Sequence, residues 1–153
     1  MKYILVLLAV AGIVLSSLAL KEHYNTEASP CYINDKWDCG VVNHSPYAVF
    51  YGVPVAVIGI AGYVFLGLLA FRRSYRGMLL AVLPALAFSF YLAHVEKDIL
   101  RVWCIYCVGS LGVIVTMALL LVAANIQGAF RRNDTSASDI RYLKAEAMRN
   151  DRS

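Results

Sequence analysis

Four thiols are the residues of this 153-residue chain best placed to do chemistry. Cys104 and Cys107 flank Ile105 and Tyr106 as a Cys-x-x-Cys, while seven residues, including Asp35, Lys36, Trp37 and Asp38, separate Cys31 from Cys39. At a helix start, unpaired N–H groups and the positive end of the dipole favour the thiolate of the first cysteine. A thiolate is the attacking species in disulfide exchange, and a low-pKa thiol is also the better leaving group. The second cysteine lies a turn deeper on much the same face, so one sulfur sits near water and the other faces the medium the helix enters. The early pair lies in a polar loop that could swing between partners, with a spacing long for a redox pair or a zinc knuckle, where roughly two to four residues intervene. Three readings stand side by side: disulfides that exchange, a fixed bridge between loop and helix, and a zinc site of all four cysteines. No histidine lies at ligand spacing, and no metal is expected.

The elements that must position these sulfurs follow from composition. The chain is 60% hydrophobic and 16% charged, against about 45–50% and 25% for soluble domains. Removing the charged residues leaves four long apolar stretches, read as spans at about 3–20, 46–71, 77–94 and 102–126. Crossing about 30 Å of hydrocarbon takes roughly 17–25 residues. Backbone groups in lipid must be satisfied within the segment, and no stretch alternates as barrel strands do. The expected fold is all-α and integral to the membrane, a bundle of four transmembrane helices. Residues 1–130 form the membrane domain and residues 131–153 a polar tail. Ser17-Leu18-Ala19 resembles a signal-peptidase site, but the apolar run before it is long for a signal, and the first stretch is read as a retained span.

Charge sets the orientation. Arg72, Arg73 and Arg76 lie between spans two and three without an acid, and the tail has six basic and four acidic residues. Residues 21–45 carry a net charge of −2, and residues 94–101 a net charge of zero. Lys and Arg favour the cytoplasmic side, so both termini are expected there. The cysteine loop between helices 1 and 2, and the Cys-x-x-Cys, then share the outer face, oxidising in a bacterium. Chance would scatter four cysteines; a redox or metal device gathers them. The arginine cluster is read as a topology anchor, so no nucleic acid is expected as a partner, only lipid and redox partners. Gly59, Gly62 and Gly67 are read as close helix packing. His94 is read as interfacial, His44 as a weak proton-transfer candidate and His23 as solvated.

Cys31 and Cys39, then Ser45-Pro46-Tyr47-Ala48, then Gly52-Val53-Pro54, then Cys104-Ile105-Tyr106-Cys107 resemble the vitamin K epoxide reductase family. The resemblance covers roughly residues 2–125. The bacterial four-helix disulfide-bond oxidoreductases place their Cys-x-x-Cys before the wide pair, the reverse of the order here. The resemblance implies a four-helix bundle around a quinone pocket, capped by the loop between the first two spans. It implies an active-site disulfide between Cys104 and Cys107, with Cys107 beside the ring of a ubiquinone or menaquinone. It implies that Cys31 and Cys39 carry electrons from a thioredoxin-like protein. Ser45 matches the family's Ser or Thr six residues after the second loop cysteine, near the active-site sulfurs. From the residues alone, Ser45 before Pro46 is equally a helix N-cap with proline at the first position.

Family members acting on vitamin K and its epoxide carry an asparagine near the start of the second span and a tyrosine one turn past the Cys-x-x-Cys. Here residues 45–71 hold no asparagine and Leu111 stands at the tyrosine position, which favours quinone reduction over epoxide reduction. Only residues 131–153 follow the fourth span, so the thioredoxin-like partner is expected to be a separate periplasmic protein. The expected relay runs from partner to Cys31 and Cys39, from Cys39 to Cys104, and from Cys107 to the quinone, in a bacterial inner membrane. Phe50, Tyr51, Phe88 and Tyr91 are the candidates for lining the ring site. The rivals are a scaffold with fixed disulfides and a metal-binding membrane module.

Overall fold

The computed structural model describes residues 2–25 and 31–150. Helix α1 runs over Lys2–Tyr24, and its last turn carries Lys21 and His23 where positive charge suits the dipole. A short α2 over Cys39–Asn43 and a single 3-10 turn over Pro46–Ala48 follow. Strands β1 (Val49–Phe50) and β2 (Val53–Pro54) pair as an antiparallel hairpin. Helices α3 (Val55–Phe71) and α4 (Tyr75–His94) come next, then a π turn over Val95–Leu100 and a long α5 over Ile105–Asn150.

Among the described residues, three segments are long and apolar enough to cross a membrane: Lys2–Tyr24, Tyr75–Leu100 and Ile105–Gly128. Helix α3 is equally apolar but has 17 residues, about 25 Å at 1.5 Å per residue. The expected second span, residues 46–71, is therefore helical only from Val55. Pro46 and Pro54 each lack an N–H donor, and Tyr51 and Gly52 both take positive φ, 51° and 81°, as a two-residue hairpin turn requires. An uncharged run concealed this break, and its two prolines were the available signal. The expected fourth span also begins late as a helix, at Ile105, because Arg101 takes a left-handed backbone (φ 55°) and residues 102–104 are not helical, Trp103 pairing with Trp37.

The four long helices pack in a ring, α3 on α1, α1 on α5, α5 on α4 and α4 on α3. Leu5, Leu66, Met78, Val82, Met117 and Leu121 fill the centre. Leu7, Val14, Phe65, Leu68, Leu80 and Leu119 point outward and are exposed, an apolar coat too extensive for a water-soluble monomer. Tyr63 ties three helices together: its hydroxyl donates to the Ser110 carbonyl at 2.9 Å and pairs with Ser110 Oγ at 2.8 Å. Its ring fills the space that a Cβ on Gly12 would occupy. Gly59 likewise packs on Ser16, whose Oγ would stand 2.8 Å from a Cβ there. Gly62 has no atom within 4 Å of a Cβ position and faces the cavity described below instead of a neighbouring helix.

Candidate functional site

The loop that brings in Cys31 and Cys39 is shaped by its own polar residues. Asn34 Oδ1 accepts the Lys36 N–H at 3.0 Å, and the Asn34 carbonyl accepts the Trp37 N–H at 2.9 Å, closing a tight turn. Asp38 then caps α2, its Oδ1 accepting the Gly40 N–H at 2.8 Å and the Val41 N–H at 3.3 Å. Cys39 thus falls on the first helical residue. Its sulfur is bonded to Cys31, with a Cα–Cα distance of 5.6 Å. The bonded pair lies within the loop, so the alternative of a bridge from loop to helix is not what the structure contains.

Two backbone hydrogen bonds stitch this loop to the approach of α5. Trp103 N–H donates to the Lys36 carbonyl at 2.8 Å, and Asp38 N–H donates to the Trp103 carbonyl at 3.1 Å. They form a parallel bridge between Trp37 and Trp103. Cys31, Cys39 and Cys104 consequently pack in one buried cluster, with Cys107 against it. Cys39 and Cys104 are wholly inaccessible.

Cys104 is the residue just before α5, and its carbonyl accepts the Val108 N–H at 2.9 Å. Cys104 and Cys107 are free thiols. The side-chain hydrogen bond from Cys107, helped by the N–H groups of Cys107 and Tyr106, holds the Cys104 thiol below its ordinary value. Burial and the nearby Glu96 carboxylate oppose this without overcoming it. Asn43 adds a donor, its Nδ2 lying 3.6 Å from Cys104 Sγ and 2.9 Å from the Cys39 carbonyl. The N–H groups at the start of α5 act on Cys104 as expected of a helix start, but the neighbouring Cys107 thiol is the larger cause.

Cys107 lies in the wall of a cavity of about 230 Å³ between the helices, close to the lower end of ligand sites, roughly 300–1,000 Å³. Glu96, Asn43, Ser45 and His23 supply polar atoms to the wall, and Leu111, Ile114, Ala85 and Phe88 supply apolar ones. A slot that is mostly apolar with a few polar groups suits a largely apolar ligand better than a charged one. Ser45 reaches the cavity and is buried, but its Oγ donates to the Val42 carbonyl at 2.7 Å and makes no N-cap bond to the turn after it.

Of the four aromatic candidates, only Phe88 lines this cavity. Phe50 and Tyr91 line an adjoining space that shares Phe88, Tyr47, Val55 and Leu92 with the cavity wall. Tyr51 lines neither; at the hairpin tip it is 93% exposed. The hairpin that replaces the first part of the expected helix is the reason for Tyr51, which stands at its tip, whereas the Phe50 ring stays 6.0 Å from Phe88. His23, expected to be solvated, instead pairs through Nδ1 with the Asn43 carbonyl oxygen at the cavity edge.

Two functional positions escaped the sequence reading. Asn43 was hidden because nothing local ties it to a cysteine 61 residues away. Glu96 was hidden in the charged run Glu96, Lys97, Asp98 and Arg101, which reads as a solvated turn. The π turn separates them: Glu96 is 3% exposed while Lys97 and Asp98 face outward. Its Oε2 accepts the Cys104 N–H at 3.0 Å.

No curated protein matches the sequence. The sequence profile of the vitamin K epoxide reductase family does, over residues 3–123, which takes in the bundle, the cysteine loop and the Cys-x-x-Cys. A match over that much of the chain, joined to a loop disulfide docked on a Cys-x-x-Cys beside an interhelical cavity, makes this protein a member of the vitamin K epoxide reductase family.

Proposed function

We propose that the chain is a quinone-dependent thiol–disulfide oxidoreductase that takes electrons from a separate thioredoxin-like protein and supports disulfide formation. One observation carries this reading: the sulfurs are in series, with Cys31–Cys39 bonded at the loop, Cys104 buried against that bond, and Cys107 on the cavity wall. A reduced partner opens the loop disulfide through a mixed disulfide. The Cys39 thiolate attacks Cys104 Sγ of the disulfide it forms with Cys107; Cys107 leaves as a thiolate, and the mixed bond resolves as Cys31 and Cys39 rejoin. A loop pair bonded and a helix pair reduced, the arrangement described here, is what the relay holds after two electrons have moved inward. A quinone of the ubiquinone or menaquinone type, when bound, supplies a two-electron, two-proton acceptor. Cys107 would face it, with Phe88 and Leu111 shaping the slot; Leu111, apolar where the tyrosine of epoxide-reducing relatives stands, favours quinone over epoxide as substrate.

The membrane placement belongs to the same proposal. All four long helices span, the termini and the turn at residues 72–76 face the cytoplasm, and the cysteines face the periplasm of a bacterial inner membrane. Purified protein, mixed with a reduced thioredoxin-like dithiol protein and either quinone, is expected to bleach the quinone absorbance. Cys104→Ala is expected to abolish the bleaching, and thiol trapping in cells is expected to show the partner shifted toward its reduced form. Unchanged thiol patterns in wild type and variant would mean fixed bridges, and the relay would be discarded.

A further inference from the structure

We propose that Glu96 is the proton acceptor for the Cys107 thiol, a catalytic residue at the wall between the sulfurs and the cavity. The inference rests on the relay just described and names the group that handles its proton. Cys107 and Glu96 stand in the same cavity wall, Cys107 packs against the cluster that holds Cys104, and the Cys107 thiol, with a single S–H proton, neighbours both the Cys104 sulfur and the Glu96 carboxylate. Glu96 Oε2 is anchored on the Cys104 N–H at 3.0 Å, which aims the carboxylate at this pair of sulfurs. Among the described residues of the cavity wall, Glu96 is the only carboxylate, and at 3% exposure it has little access to bulk water. A base must lie within hydrogen-bond reach of the proton it removes, and Glu96 meets that condition.

The step balances as follows. The Cys107 S–H bond breaks and its proton moves to a Glu96 carboxylate oxygen. A bond forms between Cys104 Sγ and Cys107 Sγ, and two electrons pass to an acceptor of the quinone class. One proton for the reduced acceptor comes from Glu96; the other comes from solvent, which earlier received the Cys104 proton. The groups facing Glu96 are Cys104 and Cys107 on the α5 side, with His23, Tyr63 and Tyr106 around the same cavity. On its own turn, Lys97 and Arg101 are exposed, and Asp98 pairs with His94 at 2.7 Å.

The competing explanation is structural, with Glu96 holding the π turn to the Cys104 backbone and nothing more. Glu96→Gln keeps a carbonyl acceptor for that N–H and removes only the basicity. Oxidation of the pre-reduced variant by a short-chain, water-soluble quinone is expected to be about 100-fold slower near neutral pH. The rate should climb with pH as solvent base substitutes, with the quinone KM unchanged. The second measurement uses wild type alone and no quinone: an infrared difference spectrum between dithiol and disulfide states, poised with a soluble dithiol–disulfide couple. A protonated carboxyl C=O band is expected to appear on oxidation and shift in heavy water. An oxidation rate within twofold of wild type with the same pH profile, or a difference spectrum without that band, overturns the proposal. A wild type that shows the band but fails to reduce quinone overturns the quinone reading and leaves the role of Glu96 standing.

Discussion

In the proposed relay, Cys104 is the point at which the exchange turns. Its thiol is held below the ordinary value first by the Cys107 hydrogen bond and then by the N–H groups at the start of α5, so its thiolate persists to lower pH than that of a free cysteine. The sign of a variant's effect follows. Cys107→Ala deletes the leading donor, and the Cys104 ionisation midpoint is expected to move upward. At neutral pH the variant should hold less thiolate than wild type. Thiolate ultraviolet absorbance during a pH titration reads this directly, since a bonded loop pair contributes no thiolate. An unmoved midpoint would shift the credit from Cys107 to the helix end. Asn43, whose Nδ2 reaches both Cys104 Sγ and the Cys39 carbonyl, joins the two cysteine pairs by one amide group.

At the level of elements, the loop between α1 and α3 is tied to the bundle by polar contacts as well as by the buried cysteine cluster. Its docking depends on Asp38 capping α2 and on the two backbone bonds to Trp103. Asp38→Ala removes both capping bonds, at a cost of about 1 kcal/mol, roughly a fivefold shift toward the undocked loop. The Trp103 amide, which donates to the Lys36 carbonyl, is expected to exchange hydrogen faster by about that factor, with the α5 amides beyond it unchanged. Equal protection in the variant would show that the disulfide, not the cap, fixes the loop. The π turn acts differently: by widening the backbone after α4 it turns Val95 and Glu96 inward while Lys97 and Asp98 stay outside.

For the whole molecule, the decisive question is on which side each turn lies. Helix α3 sits at the lower limit of spanning length, and its crossing determines whether residues 72–76 and the cysteines are separated by the bilayer. With a Ser74→Cys substitution in a background lacking the native cysteines, a maleimide that cannot cross lipid is expected to label permeabilised cells but not intact ones. Labelling of intact cells would place that turn with the cysteine loop and reduce the spans to an arrangement other than four. The exposed apolar coat on all four helices and the arginines of the turn favour the four-span arrangement.

Hydropathy and charge determine much of this protein without any fold. Apolar length, the arginine turn and the positions of four cysteines are one-dimensional properties, since lipid demands uninterrupted apolar helices wherever the chain crosses. The family likeness was legible in the same way, because its motifs are short and ordered along the chain. Tertiary packing alone places Asn43, Glu96 and His23 at the sulfurs and cavity, since their partners are remote in sequence or aimed by an irregular turn. It also leaves Tyr51 off the cavity wall and sets Phe50 beside Phe88, which lines it. An uncharged stretch satisfies the hydrophobic requirement as hairpin or helix alike, and only the backbone directions around Pro46, Tyr51, Gly52 and Pro54 distinguish the two.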